Sequence, residues 1–205
     1  MLLWHHHQPD YRDPSDGRAQ LPWVRLHATK DYLDMARRLE RHSRVRCTFN
    51  FVPSLLDQLE QAGEGAGDAL FDLLRKPVAD LTPAERAVVR GRVTSAPSHA
   101  FDRWPAYRAL TARSAMGSSD AAADDALLGL ECWFLLAWLD PMFLEMPEAA
   151  AALAAPRFHR RASRRPAHAS RSAAARASSP RIVTSPRAHK SSCRRRRTSI
   201  RFFRC

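Results

Sequence analysis

The chain has 205 residues, 45% apolar and 26% charged, enough for an ordinary domain with a core. Its formal charge of +12 would point to a polyanion binder only if evenly spread. It is not: residues 157–205 hold 16 Lys and Arg and no acid, whereas residues 1–156 hold 17 bases against all 21 acids.

Met1–Trp4 is an apolar run leading into His5-His6-His7-Gln8-Pro9, which predicts an early, buried strand ending in polar side chains. A loop is expected from Pro9 through the polar stretch 10–17. From Leu26 to Arg41 the apolar residues Leu26, Tyr32, Leu33, Met35, Ala36 and Leu39 fall on one helical face. Val45–Val52 alternates apolar and polar residues and predicts a second strand. A helix over Leu55–Gln61 follows, with Ser54 as its expected N-cap. Strand, helix, strand, helix with a helical crossover is the pattern of a βαβ unit with parallel strands. It places His5–Gln8 and Asn50 at the carboxyl ends of the strands, where α/β sheets and barrels carry their ligands.

Residues 66–150 read as helical throughout. Thr82-Pro-Ala-Glu85 is a capping box opening a helix to about Val93. Ala100–Ser114 and Asp124–Leu139 are further helices, the latter apolar nearly all round and so expected to be buried. Leu127–Leu139 is the most apolar stretch, but it contains Glu131 and is too short to span a bilayer. The helical block reads as an insertion after the second strand. Two strands cannot complete a parallel sheet, so residues 1–156 predict the opening part of a larger α/β domain with an unpaired, aggregation-prone edge.

The segment 157–205 is built mainly of Arg, Ser, Ala, Pro and His, and is expected to be disordered. Its Arg194–Arg197 run would bind nucleic acid nonspecifically through phosphate charge. Its abrupt composition also matches an off-frame reading of a GC-rich gene, so a frameshifted or truncated product is the expectation. Cys47, Cys132, Cys193 and Cys205 show no metal-ligand spacing, and no secretory leader is visible, which predicts a cytoplasmic chain with reduced thiols.

The densest polar cluster is His5-His6-His7-Gln8-Pro9-Asp10-Tyr11. On a strand, His5 and His7 share one face and His6 takes the other. Alternate histidines suit zinc, but no HExxH motif or paired cysteines supply the remaining ligands. Imidazoles and an amide beside aromatic rings also suit hydrogen bonding to sugar hydroxyls, and purely structural histidines are the third reading.

Leu3-Trp-His5-His-His7-Gln-Pro9-Asp-Tyr11 resembles the first motif of glycoside hydrolase family 57, a His-x-His-Gln-Pro sequence. Leu21-Pro-Trp-Val-Arg-Leu-His27-Ala-Thr-Lys-Asp31-Tyr and Thr48-Phe-Asn50-Phe-Val-Pro-Ser-Leu-Leu56-Asp-Gln-Leu59 are similar to the family's next segments, and so is the stretch from Asp124 to Pro141. The resemblance implies an α/β fold, the N-terminal part of a seven-stranded (β/α) barrel with a helical insertion. It implies retaining hydrolysis or transfer on α-glucans or maltooligosaccharides, of α-amylase or 4-α-glucanotransferase type, with no cofactor and no metal. By the same analogy His5 and His7 contact the sugar, Gln8 and Pro9 shape the turn that holds them, and Asn50, Arg103 and Trp104 serve mainly in packing.

Retaining glycosidases need two carboxyl groups about 5–5.5 Å apart. The resemblance places the nucleophilic Glu and the acidic Asp on strands beyond residue 156, where this chain carries no carboxylate side chain. Asp10, Asp13, Asp16, Glu131 and Asp140 read as solvated surface groups. The expectation is therefore an inactive amino-terminal segment, with no catalytic residue assigned. A noncatalytic carbohydrate-binding relic and a basic-tailed nucleic-acid binder are its rivals.

Overall fold

The computed structural model describes residues 2–42, 44–114, 120–154 and 202–203, in two compact units divided between Gly67 and Asp68. The first unit opens with β1 (Leu2–His6), followed by α1 (Trp23–His27), a π-helical turn (Ala28–Tyr32) and α2 (Leu33–Arg41). Then come β2 (Cys47–Phe51) and α3 (Pro53–Gly63). β1 and β2 pair in parallel, Leu2 beside Cys47, His5 beside Asn50 and His6 beside Phe51. The expected βαβα order is thus present, and the crossover is helical from Trp23 to Arg41.

Two apolar clusters hold this unit together. Val24, Leu55 and Leu59 pack with Tyr11, Tyr32, Phe51 and Val52, while Leu39, Cys47 and Phe49 pack with Trp4 and Met35. Leu55 is fully buried, a burial that stabilises by about 1.5–3 kcal/mol. Phe49, with Cys47 two residues before it, faces the core, which is the predicted alternation of the second strand.

Two expectations need correction. Leu2 and Leu3 are 49% and 61% exposed, not buried. β1 lies at the end of the strand order, and these two successive residues point to opposite faces, neither covered there among the described residues. Ser54 is not the cap of α3: Val52 occupies that position without a side-chain bond, Pro53 starts the helix, and the Ser54 hydroxyl donates to the Gln8 carbonyl at 3.4 Å. The loop expected from Pro9 is present, and it is internally hydrogen-bonded, with an antiparallel bridge between Arg12 and Ala19 and the Gly17 N–H donating to the Asp13 carbonyl.

The second unit is helical: α4 (Ala69–Arg75), a 3-10 turn (Val78–Asp80), α5 (Pro83–Val93), α6 (Ser98–Arg103), α7 (Pro105–Ser114), α8 (Asp120–Ala137), α9 (Pro141–Leu144) and α10 (Pro147–Ala154). The predicted capping box is formed, with Thr82 accepting from the Glu85 N–H and the Glu85 carboxylate accepting from the Thr82 N–H. The single helix expected over 100–114 is two, because Pro105 keeps the preceding Trp104 out of the helical region (φ −126°, ψ 87°) and ends α6 there. α8 runs through the core as its composition predicts, packed against α5 and α7. Gly129 permits this approach: a Cβ there would sit 2.8 Å from Leu110 Cδ2 of α7. Tyr107 is fully buried and donates its hydroxyl to the Val93 carbonyl.

Glu131 and Asp140, expected at the surface, are both buried. Glu131 lies on the all-round apolar α8, and Asp140 caps α9 by accepting from the Met142 N–H at 2.9 Å. No described helix is long and apolar enough to cross a membrane. The expectations for residues 157–205 fall outside the described residues, except that Phe202–Phe203 forms a two-residue strand, β3, parallel to β2 at Phe49–Asn50.

Candidate functional site

The end of β1 and the residue after it sort His5, His6 and His7 by alternation. His5 and His7 lie on the exposed face with near-parallel rings, centroids 6.0 Å apart. His6 points the other way, only 4% exposed, with its ring 4.5 Å from Phe51, 5.2 Å from Tyr32 and 5.5 Å from Phe49. Neither His6 nitrogen has a hydrogen-bond partner among the described residues. Burial, and then the neighbouring His5, press its pKa below 6.5, and Asp31 opposes this only in part. His6 is therefore a neutral core residue, and the outward pair is what a ligand can reach.

Parallel pairing sets Asn50 beside His5, where its Nδ2 lies 3.1 Å from His5 Nδ1. An amide N–H can only donate, so Nδ1 accepts and the neutral ring carries its proton on Nε2. Asn50, assigned chiefly to packing on sequence grounds, thus fixes the tautomer of His5. Arg103 and Trp104 belong to the second unit, where the guanidinium lies over the indole at 5.1 Å and Trp104 packs on Trp133 at 5.9 Å. Packing is their observed role.

Gln8 sits at the turn after the strand, with both ends of its amide engaged. Its Oε1 accepts from the Tyr11 hydroxyl at 2.8 Å, and its Nε2 donates to the Tyr32 hydroxyl at 3.3 Å. Burial raises both phenols above their ordinary pKa, so they stay neutral partners. Below this turn lies Gln58, a buried amide that sequence reasoning passed over. Its Oε1 accepts from the Tyr11 N–H at 3.0 Å, and its Nε2 donates to the carbonyls of Pro9 at 3.0 Å and Ser54 at 2.9 Å. The signal was present: Gln58 is the polar member of the buried stripe Leu55, Gln58, Leu59.

Two carboxylates near the motif, Asp10 and Asp31, are engaged by neighbouring side chains. Asp10 forms a bidentate pair with Arg12, which holds its pKa down at about 2. Asp31 bonds His27 Nδ1 at 2.5 Å across the π-helical turn. Neither Asp10 nor Asp31 hydrogen-bonds to His5, His7, Gln8 or Asn50 among the described residues. No group of three His, Cys, Asp or Glu able to hold a metal is found among them either. What remains is an exposed pair of imidazoles, His5 and His7, beside the Asn50 amide and aromatic side chains, groups that can hydrogen-bond to hydroxyls.

A family model for glycosyl hydrolase family 57 matches residues 1–162. No curated protein and no solved structure matches the chain.

Proposed function

The chain belongs to glycosyl hydrolase family 57, whose substrates are carbohydrates, and we propose that its β1–β2 end recognises the glucose units of an α-glucan. The observation that carries this reading is the His5–Asn50 pair on adjacent strands, with the His7 ring stacked beside it. With Nδ1 occupied by Asn50, His5 presents Nε2–H as a donor to a sugar oxygen. His7 adds a second imidazole on the same face, able to donate or accept. Gln8 acts one step removed, locking the turn between two tyrosines so that His7 keeps its place. β1 and β2 would stand as the first two strands of a (β/α) barrel of amylase or glucanotransferase type.

Binding is not cleavage. Retaining chemistry takes a nucleophile and an acid held about 5–5.5 Å apart. Asp10 and Asp31 are engaged with Arg12 and His27, and residues 149–205 contain no Asp or Glu. We therefore assign this chain recognition of the saccharide without turnover. Calorimetric titration of the 205-residue chain with maltohexaose, alongside a reducing-sugar assay, tests both halves. Saturable binding weakened at least tenfold by His5→Ala or His7→Ala, with no sugar released, is the expected outcome. Binding unchanged in the double variant overturns the recognition face, and glucan breakdown abolished by His7→Ala overturns the division between binding and cleavage. Asn50→Asp refines the test, because a carboxylate accepts from Nδ1–H and turns Nε2 into an acceptor.

A further inference from the structure

The saccharide reading makes no use of the buried imidazole of His6. Its ring packs among Phe51, Phe49 and Tyr32, and neither nitrogen has a hydrogen-bond partner among the described residues. A phenyl ring would fill such a slot at no polar cost, whereas an unbonded imidazole is disfavoured there. The slot is also connected to the site above it. Tyr32, whose ring centroid lies 5.2 Å from that of His6, accepts from Gln8 Nε2 at 3.3 Å and so holds the turn that follows His7. The His6 carbonyl accepts from the Val52 N–H at 3.1 Å, which ties the end of β1 to the start of α3. We propose that His6 is a positioning residue that makes the saccharide face acid-sensitive: when its ring gains a proton, the Tyr32–Gln8 bond opens and the glucan is released. The inference rests on the saccharide reading of His5 and His7.

The groups around His6 do not accommodate a charged ring where it stands. On its own strand His5 repels the charge, and from β2 it meets Phe49 and Phe51, which carry none. From the π-helical turn Asp31 attracts it, but that carboxylate is bonded to His27 Nδ1 at 2.5 Å, and Tyr32 faces it as a neutral phenol. Burial is the largest of these influences, and together with His5 it outweighs Asp31. The aromatic faces return part of the lost hydration as cation–π attraction, less than water supplies to an imidazolium. A protonated His6 is therefore satisfied in one of two ways, by drawing Asp31 away from His27 or by turning towards water. Tyr32 is the chain neighbour of Asp31 and lies against the His6 ring, so either movement displaces it. Its bond to Gln8 is the longer of the two that hold the Gln8 amide, 3.3 Å against 2.8 Å from Tyr11, and is the one that yields.

The experiment titrates the full chain and its His6→Phe variant with maltohexaose in steps between pH 7 and 5, with His6→Leu as a second variant should phenylalanine disturb the packing. His5 and His7 titrate in every chain, so the readout is the difference between wild type and variant. At pH 7 the variants should bind within a few-fold of wild type. By pH 5 wild type should have lost at least tenfold more affinity than they have, within the limit of tenfold per pH unit for one proton. Hydrogen exchange without ligand reads the clasp directly: protection of the Tyr11 and Val52 N–H groups should fall with pH in wild type and hold in the variants. Parallel affinity and protection profiles in all chains, with binding intact at pH 7, would overturn the role of His6 and leave the saccharide face standing. Cooperative unfolding of wild type above pH 5 would put the effect in the whole fold and overturn the local clasp. No binding by wild type at pH 7 would overturn the saccharide reading and this inference with it.

Discussion

Gln58→Leu removes the side chain that ties the turn after β1 to α3 while keeping its bulk. The bond to the Ser54 carbonyl is local and its loss costs little. The bonds to Tyr11 N–H and Pro9 carbonyl span 47 and 49 residues and hold the turn in place. Each contributes about 1 kcal/mol net, and leaving two half-buried backbone groups unpaired adds about 1–2 kcal/mol. The added apolar burial of leucine offsets about 1 kcal/mol of this. The expected loss is about 2–3 kcal/mol, which for a chain of this size lowers the melting temperature by roughly 4–12 °C. Urea denaturation should show a lower midpoint with an unchanged slope, since the surface exposed on unfolding is the same. Maltohexaose affinity should fall with stability, because His7 and Gln8 hang on the same turn. A stability change below about 0.5 kcal/mol would refute the reasoning, since these bonds would then carry no net energy. Gln58→Glu offers a control: it keeps an acceptor for Tyr11 but sets a carboxylate against the Pro9 carbonyl, so its penalty should shrink as pH drops towards 4.

Because the folded-state pKa of His6 is depressed, the unfolded chain binds more protons below pH 6.5, and this site's stabilisation is lost as the pH falls from there. Relative to His6→Phe, wild type should lose at most about 1.4 kcal/mol per pH unit in that range, the limit for one proton; parallel stability curves between pH 7 and 5 would remove His6 from the account. All three tyrosines are pushed above 10, Tyr107 furthest through its burial, so an ultraviolet titration should show less than half-ionisation at pH 10 and Tyr107 ionising only on unfolding. Thr82→Ala should cost about 1 kcal/mol by removing the acceptor for the Glu85 N–H, and Thr82→Ser should restore most of it, as read by thermal melts.

Much of this architecture was legible because short-range rules decide it. Alternation placed His5 and His7 opposite His6, the Thr82–Glu85 spacing announced α5, and all-round apolarity announced a buried α8. What escaped notice depends on partners far along the chain. Nothing local says that Gln58 reaches back to Tyr11, or that Ser54 bonds Gln8 instead of capping its own helix. The burial of Leu2 and Leu3 was overestimated because an apolar run reports affinity for a core, while actual coverage is decided by which elements stand against the strand. Glu131 shows the converse: an acid on an apolar helix follows its neighbours into the interior. The seam at Pro105 was readable from the proline itself, and the π-helical turn that spaces His27 from Asp31 has no sequence signature of its own.

The ladder between β1 and β2 also acts as a ruler. Because His5 and Asn50 are rungs of the same pair, their separation is inherited from backbone spacing and not from side-chain flexibility. Sliding β2 by a single position would carry Asn50 to the opposite side of the sheet and leave the imidazole without its amide. The same slip would turn Cys47 and Phe49 out of the core, so the packing of β2 and the place of Asn50 are set together.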